Sequence, residues 1–341
     1  MAVTAGYDVG GAHLKVALAE GGRVLGVGQI ACPLWQGLDR LDAAFAEARP
    51  LVVRAERHAA AMTGELCEIF PDRRSGVLSL VDRLQSILGH DVSIWMGPRG
   101  FGSAQEARVD PAAVASTNFL ASAELVARRL GDALMVDMGS TTTDIIPIVG
   151  GRPSPRGLTD GERLATGELV YTGLTRTDVA AVAHKAPLHG HVHRLAAGRF
   201  ATMADVRRIL GGLPADVDQH ATADNRGTTI EESLARFARC FGRDRADTSL
   251  EDWRMAANVI ADRQMADIAA AIAEVLAATP VPDEAPVIAA GIGAALIAPM
   301  AADLGRPCRP FGDLIEAEPA CHLWATRCAP AIAVALLAAA R

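Results

Sequence analysis

Apolar and polar positions alternate from the start of the chain in a way that marks strands. Residues 2–9 read as a strand entering Gly10-Gly11, and residues 13–19 alternate like a second strand. Glu20-Gly21-Gly22-Arg23 reads as a hairpin turn, and 24–31 as a third strand. Helical spacing follows at 38–49, 77–89 and 121–130. A strand with a loop is expected within 51–62, a strand over 91–96, and a short irregular segment over 110–116. Residues 133–137 read as a buried strand, 255–276 as a long helix, 287–290 as a short buried strand, 291–297 as the opening of a helix, and 329–339 as a final apolar helix.

The stretch after 133–137 repeats the beginning of the chain. Asp8, Gly10, Gly21, Gly22 and Arg23 recur as Asp137, Gly139, Gly150, Gly151 and Arg152, every pair separated by 129 residues. Strand, acidic glycine turn, strand and glycine hairpin therefore occur twice, which makes the chain a long-range duplication. A division at about residue 131 follows, with units 1–131 and 132–341. The less regular segment 171–250 reads as an insertion in the second unit.

Composition narrows the function classes. The chain has 341 residues, half of them apolar and only 4% aromatic, enough for a two-domain α/β core. Net charge is -7 with no Lys/Arg run, which argues against a nucleic-acid partner. Cys32, Cys67, Cys240, Cys308, Cys321 and Cys328 are scattered without a CxxC pair, so neither a disulfide framework nor a zinc site is expected. The longest apolar run, 329–340, is too short for a bilayer, and too little chain precedes the first strand for a signal peptide. The expectation is a cytoplasmic protein with free thiols and no membrane partner.

Glycine turns with an acid at the strand end suit a phosphate-bearing ligand. Without a Cβ, backbone N–H groups can approach phosphate oxygens, and a carboxylate beside them can hold Mg²⁺. Asp8 and Asp137 are the expected metal ligands. Lys15 would neutralise phosphate charge, while Asp144, at the matching place, would serve as metal ligand or base; Thr141, Thr142 and Thr143 add hydroxyls. A third glycine turn, "AAGIGAALI", follows the short strand near the C-terminus.

The order of acidic hairpin, acidic hairpin and late glycine turn resembles the acetate and sugar kinase, Hsp70 and actin superfamily. That resemblance implies two related ribonuclease-H-like domains with a cleft between them. It puts Gly10, Gly11, His13, Gly139, Ser140, Thr141 and Thr142 against phosphates, and Gly291 and Gly293 in the adenosine turn. Within the superfamily, "YDVGGAHLKVA", "AMTGEL", "VDMGSTTTDIIPI", "ELVYTGLTRT", "RFATMADVRRILG" and "TADNRGTT" resemble the hydantoinase/oxoprolinase-like branch, and more narrowly proteins of tetrahydromethanopterin-linked one-carbon transfer, which include a methanofuran-biosynthesis synthase. The resemblance implies a transferase that joins a furan-methylamine diphosphate to a phenolic acceptor, a tyramine or tyrosine, and releases pyrophosphate. Its alternatives are an ATP-dependent kinase, a hydantoinase-like hydrolase, or a nucleotide-gated protein without catalysis. Ala12-His13 stands where the superfamily's kinases carry threonine, which argues against ordinary ATP phosphoryl transfer and leaves nucleotide binding open.

Other positions carry two readings each. Thr63 and Glu65 form a turn or a part of the site. Arg176, Thr177, Thr202 and Asp205 line an acceptor pocket or cap helices. Asp224-Asn225-Arg226 is a turn or a substrate contact. His189, His191 and His193 share one strand face or occupy a turn.

Overall fold

The expected duplication is visible strand by strand in the computed structural model, which describes residues 2–341. In the first half, β1 (Thr4–Val9), β2 (His13–Glu20) and β3 (Arg23–Ala31) form an antiparallel meander. Then come α1 (Asp39–Val52), β4 (Arg57–Met62), α2 (Arg73–Leu88), β5 (Ser93–Trp95), β6 (Phe101–Ser103), α3 (Ala104–Val109) and α4 (Asn118–Leu130). The second half repeats the meander as β7 (Ala133–Met138), β8 (Thr143–Val149) and β9 (Arg152–Pro153), followed by α5 (Asp160–Thr166) and β10 (Leu169–Val170). A segment of α6 (Val179–Val182), β11 (Lys185–Leu188), β12 (His191–Arg194), α7 (Met203–Ile209) and α8 (Ile230–Arg239) leads to the long helix α9 (Leu250–Ala278). β13 (Val287–Ala290), α10 (Ile297–Asp303), β14 (Cys308–Pro310), α11 (His322–Arg327) and α12 (Ala329–Ala339) complete the chain.

The first sheet has the order β3-β2-β1-β4-β5-β6 and the second β10-β8-β7-β13-β14, with β9 also on β8. In each, an antiparallel meander is extended by parallel strands beside its first strand. This is the ribonuclease-H-like arrangement, present twice. The turns correspond as well: the Gly10 amide donates to the His13 carbonyl at 3.0 Å, and the Gly139 amide to Thr142 at 2.9 Å. Both glycine hairpins run through positive φ, at Gly21-Gly22 and at Gly150-Gly151, which explains the repeated glycines.

Period-2 alternation then assigns faces. In β1, Ala5, Tyr7 and Val9 enter an outer core with α1 and α2. In β7, Leu134, Val136 and Met138 enter the corresponding outer core with α9 and α10. The opposite faces of both sheets meet one central layer, built on α4 and α12. On the first sheet this inner face is made of small residues, Ala17, Ala19, Ala59 and Ala61, so the alanine-rich α12 packs closely on it. The final apolar run is thus a core helix. No single helix among the described residues is long and apolar enough to cross a membrane.

Several boundaries differ from the sequence pattern for local reasons. α1 continues through Pro50, because Leu51 and Val52 extend the face that Leu41 and Phe45 turn to the core. α9 begins at Leu250 because the Ser249 hydroxyl accepts from the Asp252 amide. Within "GIGAALI" the chain makes a 3₁₀ turn at Ala294–Leu296, and α10 begins only at its last residue, Ile297. The 171–250 segment is ordered around a core it shares with the start of α9, where Phe237, Phe241 and Trp253 meet edge to face.

Candidate active site

The same alternation that builds the sheets aims the acids. Tyr7 and Val9 face the outer core, so Asp8 faces the central layer; Met135 faces that layer, so Asp137 does too. Both sit at the C-terminal ends of their strands, where the chain turns through Gly10-Gly11 and Gly139-Ser140. They open into a cleft of about 380 Å³ lined by both hairpins. The two central helices begin there: Asn118 and Phe119 of α4 and Pro330 of α12 are in its wall, and neither helix has a side-chain cap at its N-terminus. Two positive dipole ends and two amide-rich turns thus converge on one space.

The turn amides are free to bind. Those of Gly11, Ala12, Ser140, Thr141 and Thr142 donate to no protein acceptor among the described residues, and all five residues line the cleft. The second turn is braced from behind, its Gly139 and Ser140 carbonyls accepting from the Leu174 and Arg176 amides at 2.9 Å each.

Charge is distributed unequally over the two hairpins. In the first, Asp8 opposes Lys15, with Nζ 3.4 Å from Oδ2, and Asn118 donates to Asp8 Oδ1 at 3.0 Å. Burial depresses the Lys15 ammonium, but Asp8 and Asp137 outweigh it and hold its pKa above the ordinary range. In the second, Asp137 opposes Asp144. Arg163, itself buried, donates to Asp144 Oδ1 at 2.7 Å and stacks on Phe119. Asp137 is 7% exposed and accepts no hydrogen bond among the described residues. Burial first, then Asp144 and Asp8, push its pKa up to about 7 against the pull of Lys15. A hard divalent cation would answer this arrangement: carboxylate oxygens of Asp8 and Asp137 are its preferred donors, and Asp137 has no other partner.

Three histidine and arginine side chains close the cleft on one side. His13 is buried, its Nδ1 3.4 Å from Ser140 Oγ, its ring edge-on to His220 at 4.6 Å. Burial, then the neighbouring His220, Lys15 and Arg176, keep His13 neutral. Burial and Arg176 lower His220 to about 4. The Arg176 guanidinium stacks on Trp35, 4.4 Å from the ring centre.

Most residues expected from the sequence meet here. Asp8, Gly10, Gly11, His13, Lys15, Thr63, Asp137, Gly139, Ser140, Thr141, Thr142, Asp144 and Arg176 all line the cleft. The others are elsewhere. Glu65 is wholly buried beneath it, accepting from Ser116 Oγ at 2.6 Å, and burial raises its pKa to about 7. Gly291 and Gly293 pack behind Asp137: Gly291 has φ +83°, and a Cβ there would lie 2.2 Å from the Met138 carbonyl. Thr177 accepts from the Gly173 amide, bracing a loop. Thr202 and Asp205 cap α7 and also line a second chamber that shares Trp35, Arg176 and Arg199 with the cleft wall; Asp205 pairs with the fully buried Arg236 at 2.8 Å. Asp224 accepts from Arg236 and Arg239, and Asn225 sits in a turn at φ +57°. His189 occupies the β11–β12 turn, apart from His191 and His193; no group of three metal-binding side chains occurs among the described residues. Trp35, Asn118, Arg163 and His220 are the site residues the sequence did not disclose, since none belongs to a repeated or spaced pattern.

Residues 56–311 match the hydantoinase/oxoprolinase family. The chain is 32% identical over 241 residues to (4-{4-[2-(gamma-L-glutamylamino)ethyl]phenoxymethyl}furan-2-yl)methanamine synthase of Methanocaldococcus jannaschii, covering 70% of this chain and 72% of that one. A protein of the same name from Methanococcus vannielii is 31% identical over 131 residues, 38% of this chain and 59% of that one. Among solved structures, nucleotide-free acetone carboxylase, described as acting in ATP-dependent acetone carboxylation, superposes with a TM-score of 0.58. At 10% identity over 89% of this chain and 68% of that one, the likeness is one of fold.

Proposed function

The chain belongs to the hydantoinase/oxoprolinase family, and from that premise we propose that it joins a furan-methylamine diphosphate to the phenol of a tyramine or tyrosine derivative, releasing pyrophosphate, in the synthesis of a methanofuran-type cofactor. The product named for the similar synthases contains a phenoxymethyl-furan ether, which is the bond this reaction makes. The observation that carries the reading is the set of unpaired turn amides whose residues line one cleft with Lys15 and two uncapped helix N-termini, a cradle for a leaving diphosphate.

In this reading the bond from the furan methylene to the bridging oxygen breaks, and its electron pair leaves with the diphosphate. The turn amides of Gly11, Ala12, Ser140, Thr141 and Thr142, with Lys15, take up the developing charge. Asp8 and Asp137 would hold Mg²⁺, which when bound adds to that neutralisation. The phenol oxygen forms the new carbon–oxygen bond, and its proton goes to a carboxylate. We assign Asp144, because Arg163 fixes its Oδ1 while Oδ2 has no hydrogen bond among the described residues. The division into units 1–131 and 132–341 belongs to the same reading, with the cleft between them.

Incubation with Mg²⁺, the furan diphosphate and tyramine tests it. Pyrophosphate release that depends on tyramine supports the reading. Release of ADP from ATP in the presence of the corresponding alcohol, with no phenol-dependent pyrophosphate, overturns it in favour of a kinase.

A further inference from the structure

At the floor of the cleft one hydroxyl stands between two acids. Ser116 Oγ lies 2.6 Å from Glu65 Oε1 and 3.1 Å from Asp160 Oδ2, and Ser116 and Asp160 both belong to the cleft wall. A serine has one proton to give, so it cannot donate to both acids at once. The arrangement is complete only when one of them carries a proton. Asp160 is partly exposed and pairs with Arg73 at 3.6 Å, as a carboxylate does. Glu65 is wholly buried, and its Oε2 has no partner among the described residues. An uncompensated charge is costly in the interior, so the proton belongs on Glu65. Its carboxyl then donates to Ser116 Oγ, and Ser116 donates on to Asp160. The charged or titratable groups facing Glu65 are Asp160 on α5, Arg73 on α2 and the Cys67 thiol. Burial first, and then Asp160, raise Glu65 to about 7 against the pull of Ser116 and Arg73.

Both ends of this chain of hydrogen bonds are tied to the site. Ser116 holds φ +54°, a left-handed conformation that serine seldom adopts, two residues before Asn118, which reaches Asp8 from the start of α4. Asp160 opens α5 three residues before Arg163, which donates to Asp144 and stacks on Phe119 of α4. α2 holds Glu65 from behind, where a Cβ on Gly76 would lie 2.2 Å from the Glu65 carbonyl. From these contacts we infer that Glu65 and Ser116 are positioning residues: a proton held between them clasps Asp160 to the start of α4, and so sets α5, with Arg163, against Asp144. When Glu65 ionises, Ser116 turns its one proton to Glu65 and Asp160 loses its donor. The clasp is a property of the fold; what it serves, the placing of Asp144, rests on the proposed reaction.

Hydrogen exchange of the α5 amides in the full chain tests the clasp without substrate, with the α12 amides as internal reference. In Glu65→Gln the side-chain amide donates to Ser116 Oγ and cannot ionise. Ser116→Gly suits the positive φ and lacks the hydroxyl. At pH 6, α5 should exchange alike in the unaltered protein and in Glu65→Gln, and about tenfold faster in Ser116→Gly. At pH 8.5 the unaltered protein should exchange about as fast as Ser116→Gly, while Glu65→Gln stays protected and α12 is the same in all three. Equal exchange of the unaltered protein and Glu65→Gln at pH 8.5, or full protection of α5 in Ser116→Gly at pH 6, overturns the inference. Should Glu65→Gln fail to fold, an unaltered-to-Ser116→Gly ratio that is the same at both pH values overturns it instead. With saturating Mg²⁺, furan diphosphate and tyramine, kcat should fall above pH 7 in the unaltered protein and not in Glu65→Gln. Asp137, which titrates in the same range, has the opposite sign, since its ionised form is the one that would hold a cation. The same fall of kcat in both proteins removes the positioning role. The expected exchange pattern without phenol-dependent pyrophosphate release sinks the reaction alone and leaves the clasp standing.

Discussion

Lys15 stands directly across the first hairpin from Asp8, its Nζ 3.4 Å from Oδ2, whereas Asp137 in the second hairpin faces another acid, Asp144. The duplication thus preserved the geometry and changed one charge. In the proposed reaction the first hairpin would neutralise the leaving anion, and the second would offer a carboxylate.

Lys15→Met removes the only lysine in the cleft wall and leaves Asp8 and Asp137 facing each other without it. Loss of one preorganised charge at a developing anion lowers kcat by roughly 10²–10³-fold. The expected outcome in steady-state pyrophosphate release is a loss of that size. A variant within threefold of the unaltered protein would remove Lys15 from the cradle.

Asp137 sets a pH dependence of stability with a definite sign. Its pKa is raised in the fold to about 7, so its protonated form is favoured there. The contribution is full below the unfolded value near 4 and is lost as pH rises through 7. Without metal, Asp137→Asn should therefore melt higher than the unaltered protein at pH 8 and no differently at pH 4. The gap at pH 8 should be a few kcal/mol. Glu65 titrates in the same window in both proteins and cancels. Added Mg²⁺ should raise the melting temperature of the unaltered protein alone. Equal melting curves at every pH would contradict the buried, unpaired state of this carboxylate.

Asp144→Asn tests the base. With tyramine, kcat should fall by roughly 10²-fold or more, the usual contribution of a positioned base. With a fluorinated tyramine that is already ionised at the assay pH, the loss should shrink to within about threefold. An equal loss with both acceptors would mean that Asp144 acts through Arg163 or Lys15 and takes no proton.

Asp205→Ala separates a cap from a contact. Asp205 accepts from Nε and Nη2 of Arg236, which is completely buried, at 2.9 and 2.8 Å. Asp224 still accepts from Nη1, so the variant loses one of two acidic partners, at a cost of roughly 1–3 kcal/mol to be read from urea unfolding. The KM for the diphosphate donor should not move. A stable variant with a raised donor KM would make Asp205 a donor contact rather than a cap.

The parts of this site that the sequence disclosed are those that obey a period. The 129-residue repeat predicted both meanders and both turns and put Lys15 and Asp144 at matching positions; that they stand across the strands from Asp8 and Asp137 is the register those turn positions set. It could not disclose that Arg163, 19 residues beyond Asp144, returns to pair with it, or that Asn118 reaches Asp8 from a helix 110 residues away. Those contacts are set by how α4 and α5 dock, which no local spacing records. Thr202 and Asp205 were ambiguous because a capping box and a polar pocket use the same residue types. Glu65 was misleading for a different reason. A glutamate in a turn reads as exposed, yet Ser116 draws this one into the interior.

The most direct test of the account follows one oxygen atom. The furan diphosphate is prepared with ¹⁸O in the bridge between the methylene carbon and phosphorus, and is turned over with tyrosine. Cleavage of the carbon–oxygen bond sends all of the label into pyrophosphate and leaves the ether oxygen unlabelled, as the cradle of free amides around the leaving diphosphate predicts. Label retained in the furan product would mean cleavage at phosphorus, the chemistry of a phosphoryl transferase, and would contradict the central claim.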